Sequence, residues 1–527
     1  MFDLLIKNGT IVDGSGKEPF NADIALSDGK ISKIAPIIKE GAGRVIDAEK
    51  QFVTPGFIDM HRHEDAFVFN SNYGEIQIRQ GITTTINGNC GLSAAPLPPK
   101  YKDEILQYIK PIAGIIPQDK IFETFGDYLA IVEKEKLPIN FGMLMGNGTL
   151  RMAVNGFANQ LGGEEIRLAH KYIEDALQNG AFGISMGIAY MPEIFYDHKT
   201  FIKVLEPLRA QCIPITTHMR GEGNLLVEAV KEVINIAKDL QIPLHISHYK
   251  CLGKKNWGNV LKEATAQIEA AQSDGMQITV DVYPWTAGST QLVQVLPPEF
   301  LEGGLDKTTQ RLKDLQKRKE CRQMLEKPQK HFENQIDLIG WENIMISSAP
   351  KNPAFVGKKI TEIAEMTGKD PFEAAFDLLV EENCDVSMVN FIASPDDIET
   401  IMKYPYSAII SDSIYPASGN PHPRQYGTFA LLLSDYVRDR KVLSLPIAIN
   451  KITKKPADIL KIKNKGVLKE NYDADIAIFD LNKIENQADY INPRKLSKGF
   501  SFVIVGGEIA AENDVFLKTQ SGKVIRR

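Results

Sequence analysis

The apolar and polar positions of this chain follow one pattern at its two ends and another pattern in its middle. Both ends carry short runs in which apolar and polar residues alternate, with Asn8-Gly9 and Gly506-Gly507 as tight turns between runs. Alternation with a period of two predicts β-strands. We therefore expect residues 1–55 and 465–527 to build one small β-sandwich domain from both ends of the chain.

Between these ends, short apolar runs alternate with longer amphipathic stretches such as 164–180 and 224–240. This rhythm is typical of repeated strand-helix units around a parallel sheet. The runs predicted as strands are 57–63, 83–90, 140–146, 181–187, 214–219, 243–248, 277–284 and 407–412. Eight such units predict an α/β protein with a TIM-like (β/α)8 barrel over residues 56–464.

A charged, Lys-rich segment at about 289–345 interrupts this rhythm before the last predicted strand. We interpret it as a helical insertion into the barrel. Insertions after barrel strands lie on the face where active sites form, so the segment could cover a site there. The alternative is a solvated helical decoration, because runs of charge usually mark surface.

Composition narrows the classes of partner and the compartment. The 527 residues include 61 Lys+Arg and 67 Asp+Glu, a formal net charge of -6, and no long basic run. This predicts binding neither to nucleic acid nor to a membrane. The five cysteines are scattered rather than arranged as a disulfide framework, and the start of the chain has no export signal, so a cytoplasmic protein is expected. The oligomeric state stays open.

Four of the nine histidines stand at the carboxyl ends of predicted strands, which converge on one face of a barrel. His61 and His63 are separated by one residue, so both rings should project to the same side of a strand. His218 and His248 end two consecutive strands. Imidazoles grouped in this way favour a zinc-like ion over four separate packed histidines. By contrast, His245 should face away from His248 and is interpreted as structural.

Two further strand ends carry groups suited to the same site. Cys90 ends the second predicted strand, and a thiolate there would complete a mixed Cys and His ligand set for zinc. Asp412 ends the last strand after an apolar run, where a carboxylate needs a partner or a function. A metal hydrolase needs a group that moves protons, so we expect Asp412 to be catalytic.

Two cations lie on loops that leave these strands. Lys250 follows His248 by two residues, and Arg424 lies in the segment PHPR after Asp412. Either one could simply form a surface salt bridge. Together they would instead make a pocket for an anion such as a carboxylate.

The chain resembles the N-acyl-D-amino-acid deacylases, or D-aminoacylases, of the amidohydrolase superfamily. The resemblance covers nearly the whole chain and rests on ordered motifs: VTPGFIDMHRH, GITTTINGNCGLSAAP, GISMGIAYMPEIF, HISHYK, DVYPWTAGST, ISDS followed by HPRQYGTF, and GVLKENYDADIAIFDLNK. It implies a metal-dependent hydrolase barrel with a small β domain from both termini. The implied reaction is hydrolysis of the linear amide of an N-acyl-D-amino acid to a carboxylate and a free D-amino acid.

The same resemblance implies a role for each matching residue. Cys90, His218 and His248 would hold a tightly bound Zn²⁺, His61 and His63 would form a second and weaker metal position, and Asp412 would be the catalytic acid and base. The implied substrate-binding residues are Lys250, Arg424, Tyr190, Tyr283 and Ser289.

Two departures from the family pattern stand close to the predicted site. Arg62 lies between the two histidines where the family has Thr or Ser, and its side chain should point away from the metal. Asn147 replaces a histidine in the loop of the third strand, so substrate preference could differ.

Two alternative functions stay open from the sequence. One is a hydrolase of cyclic amides related to dihydroorotases and hydantoinases, but the fourth predicted strand, GISMGIAY, lacks their metal-bridging lysine. The other is a catalytically inactive barrel scaffold, which would be expected to lose ligands that this chain retains.

Overall fold

The protein is described by a computed structural model that covers residues 1–527. Its strands are β1 (Phe2–Ile11), β2 (Phe20–Ser27), β3 (Lys30–Ala35), β4 (Ala42–Asp47), β5 (Phe52–Pro55), β6 (Phe57–Asp59), β7 (Ile82–Asn87), β8 (Asn140–Met143), β9 (Met145–Gly146), β10 (Ile184–Gly187), β11 (Ile215–His218), β12 (Leu244–Ile246), β13 (Ile278–Val282), β14 (Ala287–Gln291), β15 (Ile344–Ser348), β16 (Ser387–Phe391), β17 (Ser407–Ile409), β18 (Ile476–Phe479), β19 (Phe500–Val505), β20 (Glu508–Glu512) and β21 (Val515–Phe516).

The helices connect these strands and surround the barrel. They are α1 (Glu75–Ile78), α2 (Lys102–Ala113), α3 (Phe125–Val132), α4 (Asn147–Asn155), α5 (Gly163–Gln178), α6 (His198–Val204), α7 (Leu226–Leu240), α8 (Asn259–Ser273), α9 (Pro298–Leu301), α10 (Leu305–Lys313), α11 (Leu315–Leu325), α12 (Gln335–Ile339), α13 (Ile360–Thr367), α14 (Pro371–Glu381), α15 (Pro395–Lys403), α16 (Arg424–Leu431), α17 (Leu445–Lys451) and α18 (Lys454–Leu460). None of them combines the length and the apolar character that crossing a bilayer requires.

Parallel strands form a closed barrel in the centre of the chain. β6, β7 and β8 pair in sequence, and a second run of pairs joins β9, β10, β11, β12, β13 and β17. One residue separates β8 from β9, so these two segments occupy a single barrel position. The first and last positions meet through a parallel bridge between Arg62 and Ser413, and Asp412 N donates to His61 O at 3.0 Å. The predicted (β/α)8 barrel is confirmed.

The local sequence explains why these segments are strands and helices. Every residue of β7 is buried, which fits its β-branched run, because helices cover the outside of a parallel sheet while side chains fill its inside. α7 instead buries one face at helical spacing, for example at Leu226, Ala229, Val230 and Val233. Each of the eight predicted runs overlaps one strand position of the barrel, and the mouth lies where these strands end.

Strands from the two ends of the chain form a separate sheet. Its order is β21-β20-β19-β18-β5-β1-β2-β3, with β4 paired to β1. β5 joins the two ends, since it runs parallel to β1 and antiparallel to β18. Apolar side chains from both ends, including Leu4, Ile24 and Ile476, share one core. The domain boundaries at residues 55 and 465 stay a prediction.

Between β13 and β17 the chain leaves the barrel. α9 to α12 occupy most of the segment expected to be helical, and β14, β15 and β16 form an antiparallel sheet beside them. Ser289 in β14 pairs with Val389 in β16, so this sheet brings the first residues after β13 close to the residues of β16. The segment between β13 and β17 therefore places side chains over the barrel mouth.

Candidate active site

Three reactive side chains follow barrel strands at residues where the backbone turns to positive φ. The φ values are 54° at Cys90, 35° at His248 and 54° at Asp412. Non-glycine residues rarely adopt this conformation, and in structures it concentrates at functional sites. These turns direct the three side chains into the mouth of the barrel.

Cys90, His218 and His248 form one cluster of potential metal ligands. Their ligand atoms all lie within 4.8 Å of one another, and Cys90 Sγ is 3.3 Å from His248 Nε2. The three residues come from different barrel strands. The structure therefore brings together the thiol and the two imidazoles that the sequence places at strand ends.

A second cluster shares the thiol of Cys90 and adds His61, His63 and Asp412. His61 Nε2 lies 3.2 Å from Cys90 Sγ. Asp412 Oδ1 lies 3.4 Å from His61 Nε2 and 3.5 Å from His63 Nε2. The two clusters are thus adjacent, with Cys90 between them.

The donor set of these clusters fits a zinc-like ion. A thiolate and imidazoles are ligands that zinc accepts, and all of these groups are largely buried. Burial would raise the pKa of the Cys90 thiol, but the imidazoles of His61 and His248 lower it well below its usual value. His63 Nδ1 and His218 Nδ1 are buried and have no hydrogen-bond partner.

Asp281, at the end of β13, orients three histidines from behind the clusters. Its Oδ2 lies 3.2 Å from His61 Nδ1 and 2.9 Å from His245 Nε2, and its Oδ1 accepts from His248 N. A carboxylate on Nδ1 of His61 leaves Nε2 free to bind a metal. Sequence reasoning missed Asp281, although it ends an apolar strand as Asp412 does.

His245 lies behind the site, where its Nε2 contacts the carboxylate of Asp281, which also accepts from the backbone N–H of His248. The alternation of side chains ends with Ile246, the last residue of β12, and His248 turns at positive φ. His245 Nδ1 also lies 2.8 Å from Thr279 Oγ1. Its role is to support the site from behind.

Glu222 was also missed from the sequence. Its Oε1 lies 3.0 Å from His248 Nδ1 and 2.7 Å from Lys250 Nζ. Burial would raise the pKa of Glu222, but Lys250 and the neighbouring imidazoles of His218 and His248 lower it far below its usual value. The only sequence signal is its position four residues after His218 on the same loop.

Asp412 pairs with Arg424 at the mouth. Arg424 Nη1 lies 2.9 Å from Asp412 Oδ2, and Arg424 Nη2 donates to Ser289 O at 3.2 Å. Burial would raise the pKa of Asp412, but Arg424 and the imidazoles of His61 and His63 hold it well below its usual value. Asp412 is therefore a carboxylate at neutral pH.

A cavity that is partly open to solvent contains these groups. Its walls include all five residues for which the family resemblance implies substrate binding: Tyr190, Lys250, Tyr283, Ser289 and Arg424. The Tyr190 ring lies beside that of His218 with ring centres 4.5 Å apart, and its hydroxyl lies 3.2 Å from Thr290 Oγ1. Ser289 Oγ donates to Met388 O at 2.8 Å, so this hydroxyl is already engaged.

Arg62 lies behind the site, and its charge is compensated there. Its guanidinium contacts Asp59 at 2.8 Å and also pairs with Glu64 and the hydroxyl of Tyr415. These contacts lie where β6 meets the segment after β17. Arg62, which departs from the family pattern, is thus paired within a buried ion-pair network outside the clusters.

Asn147 is tied to a buried acid. Asn147 Nδ2 donates to Glu193 Oε1 at 2.6 Å, and Gly187 N donates to Glu193 Oε2 at 2.7 Å. Burial raises the pKa of Glu193 to about 7. The remaining histidines lie outside the clusters: His170, His198, His331 and His422.

Known hydrolases are similar to this chain in sequence. The profile of the amidohydrolase family matches residues 44–109 and 347–511. D-aminoacylase of Alcaligenes xylosoxydans xylosoxydans is 29% identical over 100% of this chain and 98% of its own length. The N-acyl-D-glutamate deacylase of the same organism is 28% identical over 96% of this chain and 93% of its own.

One solved structure is similar to this chain over its whole length. It is N-acyl-D-glutamate deacylase of Bordetella bronchiseptica, complexed with zinc and a phosphonate inhibitor that mimics the tetrahedral intermediate of the reaction. It superposes with a TM-score of 0.83 at 26% identity, and each chain is covered completely. The chain is therefore similar, over its whole length, to N-acyl-D-amino-acid deacylases of the amidohydrolase type.

Proposed function

We propose that this protein hydrolyses the amide bond of N-acyl-D-amino acids and releases a carboxylate and the free D-amino acid. The observation that carries the proposal is the meeting of metal ligands, an ionised carboxylate and a cation in one cavity. The ligands Cys90 and His248, the carboxylate Asp412 and the cation Arg424 all line it. The similarity to D-aminoacylase and N-acyl-D-glutamate deacylase supports the same reaction.

The metal centre would use both clusters. Cys90, His218 and His248 would hold one zinc tightly, and His61 and His63 would form a second, weaker position that shares Cys90. Zinc bound there would polarise the amide carbonyl and activate a water molecule. Asp281 and Glu222 would keep the Nε2 atoms of His61 and His248 available for this role.

Asp412 would move the proton. Its carboxylate is ionised at neutral pH, so Oδ1 can accept a proton from the attacking water. It would then deliver that proton to the amide nitrogen, because an amine leaves far more readily than an amide anion. The charge of Arg424, whose Nη1 lies 2.9 Å from Oδ2, keeps the carboxylate ionised before the first step.

The substrate carboxylate would bind beside Tyr283. Arg424 Cζ lies 4.9 Å and Lys250 Nζ lies 5.8 Å from the centre of its ring, so both cations border one region of the cavity. Tyr190 and Ser289 line the same cavity. With amide and carboxylate both fixed, only one enantiomer directs its side chain into the remaining space.

The test is hydrolysis by protein that has been stripped with a chelator and then reconstituted with zinc. We expect ninhydrin-reactive amine from N-acetyl-D-amino acids, little from the L enantiomers, and none before zinc is added. Ring opening of hydantoin or dihydrouracil without deacylation would support a cyclic amidase instead. No bound zinc and no product from any substrate would indicate an inactive scaffold.

A further inference from the structure

Three cationic side chains line the cavity: Arg220, Lys250 and Arg424. Every guanidinium nitrogen of Arg220 already donates a hydrogen bond within the protein. Arg220 donates from Nε and Nη2 to the carboxylate of Glu232 at 2.8–3.1 Å. Its Nη1 donates to Ile194 O at 2.7 Å, and its Nη2 donates to Tyr196 O at 2.9 Å. Arg220 is thus neutralised and held by the protein itself.

Arg424 differs because it keeps free donors. Its Nε and Nη1 are buried without a hydrogen-bond partner. Nη1 lies 2.9 Å from Asp412 Oδ2, but its N–H bonds are not directed at that oxygen with hydrogen-bond geometry. A guanidinium in this state is suited to a carboxylate.

Lys250 contributes to the same place. Its Nζ donates to Glu222 Oε1 and to His248 O, and lies 2.9 Å from His248 Nδ1. When His248 offers Nε2 as a metal ligand, its proton is on Nδ1, which can then no longer accept a hydrogen bond from Lys250. One N–H of Lys250 is therefore free. Both sets of free donors border the ring of Tyr283, which makes a single anion subsite.

The rest of the cavity offers no further uncompensated cation to a second anion. The insertion supplies an apolar wall of Leu296, Leu301 and Phe332, each almost fully buried. Glu333, also in the wall, carries a further negative charge, and its carboxylate accepts from the backbone N–H groups of residues 222–225 at 2.7–3.2 Å. A second carboxylate here would be desolvated without a cation.

We propose that the enzyme is specific for N-acyl-D-amino acids with uncharged, apolar side chains, and that this specificity is set by the insertion wall of Leu296, Leu301 and Phe332. The proposal rests on the proposed function and deepens it. Among the relatives, one is a D-aminoacylase and another an N-acyl-D-glutamate deacylase at nearly equal identity, so similarity alone leaves this choice open.

The test compares N-acetyl-D-methionine with N-acetyl-D-glutamate on the zinc-loaded enzyme, since the two side chains have similar length but different charge. We expect kcat/KM to favour methionine at least about 100-fold, because the acidic side chain would bury an unpaired charge. N-acetyl-D-glutamine, neutral but shaped like glutamate, should recover much of the loss. A preference below tenfold would overturn the proposal and leave the proposed function intact. No hydrolysis of any of the three would overturn both.

A variant locates the side-chain subsite. Gln294 lines the insertion end of the cavity and is only partly buried, with Nε2 3.3 Å from the Tyr108 hydroxyl. Gln294→Arg should lower the ratio of kcat/KM for N-acetyl-D-methionine over N-acetyl-D-glutamate at least about tenfold, because the arginine supplies a cation for the acidic side chain. The matched variant Gln294→Met should leave the preference unchanged. An unchanged preference in Gln294→Arg would show that the insertion wall does not set specificity.

Discussion

Asp412 is held as a carboxylate between a guanidinium and two imidazoles, yet it is not part of the Cys90, His218 and His248 cluster. Asp412→Asn should therefore lower kcat by at least about 1000-fold through loss of the proton carrier, while the tight zinc remains. Kinetics and zinc content by mass spectrometry check this. The exposed Asp119→Asn serves as the control. Turnover within tenfold of the parent would remove Asp412 from the mechanism.

Cys90 belongs to both clusters, so its loss should affect both metal positions. We expect Cys90→Ala to bind less than a tenth of the zinc that the parent binds after dialysis, and to lose activity with it. Cys251→Ala is the matched control, because Cys251 is equally buried but outside the clusters. Full zinc content in Cys90→Ala would contradict the assignment.

Glu193 should make stability depend on pH. Folding raises its pKa from 4.5 to about 7, so the folded protein binds more protons than the unfolded chain within that window. Stability from this group is therefore present at low pH and is lost as pH rises to about 7, by up to roughly 3 kcal/mol.

Glu193→Gln should abolish this pH dependence, since glutamine does not titrate. Urea unfolding at pH 5 and pH 8 measures it: the variant should lose less stability than the parent between these values. Glu164→Gln, on the exposed face of α5, is the control. Equal losses in parent and Glu193→Gln would exclude the effect.

At the scale of elements, one side chain joins the insertion to the loop after β11. Glu333 accepts four backbone N–H groups of residues 222–225, and this loop carries Glu222, which contacts His248. In Glu333→Ala these groups lose their acceptor, so the loop should open more often. We expect amide exchange at 222–225 to accelerate at least about tenfold and KM to rise. Glu320→Ala on α11 is the control, and unchanged exchange would refute the role.

The sequence predicts the site residues at strand ends better than it predicts the residues that hold them in place. Cys90, His248 and Asp412 were recognisable because each ends an apolar run, and strand ends of a barrel converge. Glu193 lies in a short 3-10 helix and accepts from the side chain of Asn147, 46 residues earlier in the chain. Glu333 lies in a loop and accepts from the backbone N–H of Gly223, 110 residues earlier. No residue pattern records such contacts.

At the scale of the whole molecule, the last residues of the chain reach back into the barrel. Phe141 N in β8 donates to Lys523 O at 2.9 Å, and Ile525 N donates to Phe141 O at 2.8 Å. Ile525 packs in one cluster with Ile58 and Phe182, inside the barrel. This contact lies by the first residues of β8, at the end of the barrel opposite the mouth. The terminal segment should thus stabilise the barrel without contributing to the chemistry.

Deleting residues 522–527 tests this separation. The deletion exposes the cluster around Ile525 and leaves Phe141 N without its acceptor, at a cost of about 3–6 kcal/mol. We expect Tm to fall by several degrees while kcat/KM at low temperature stays within twofold of the parent. Ile525→Val should give a smaller shift in the same direction, and the exposed Gln520→Ala should give none. An unchanged Tm would mean that the segment does not support the barrel, and lost activity in a folded variant would mean that its influence reaches the mouth.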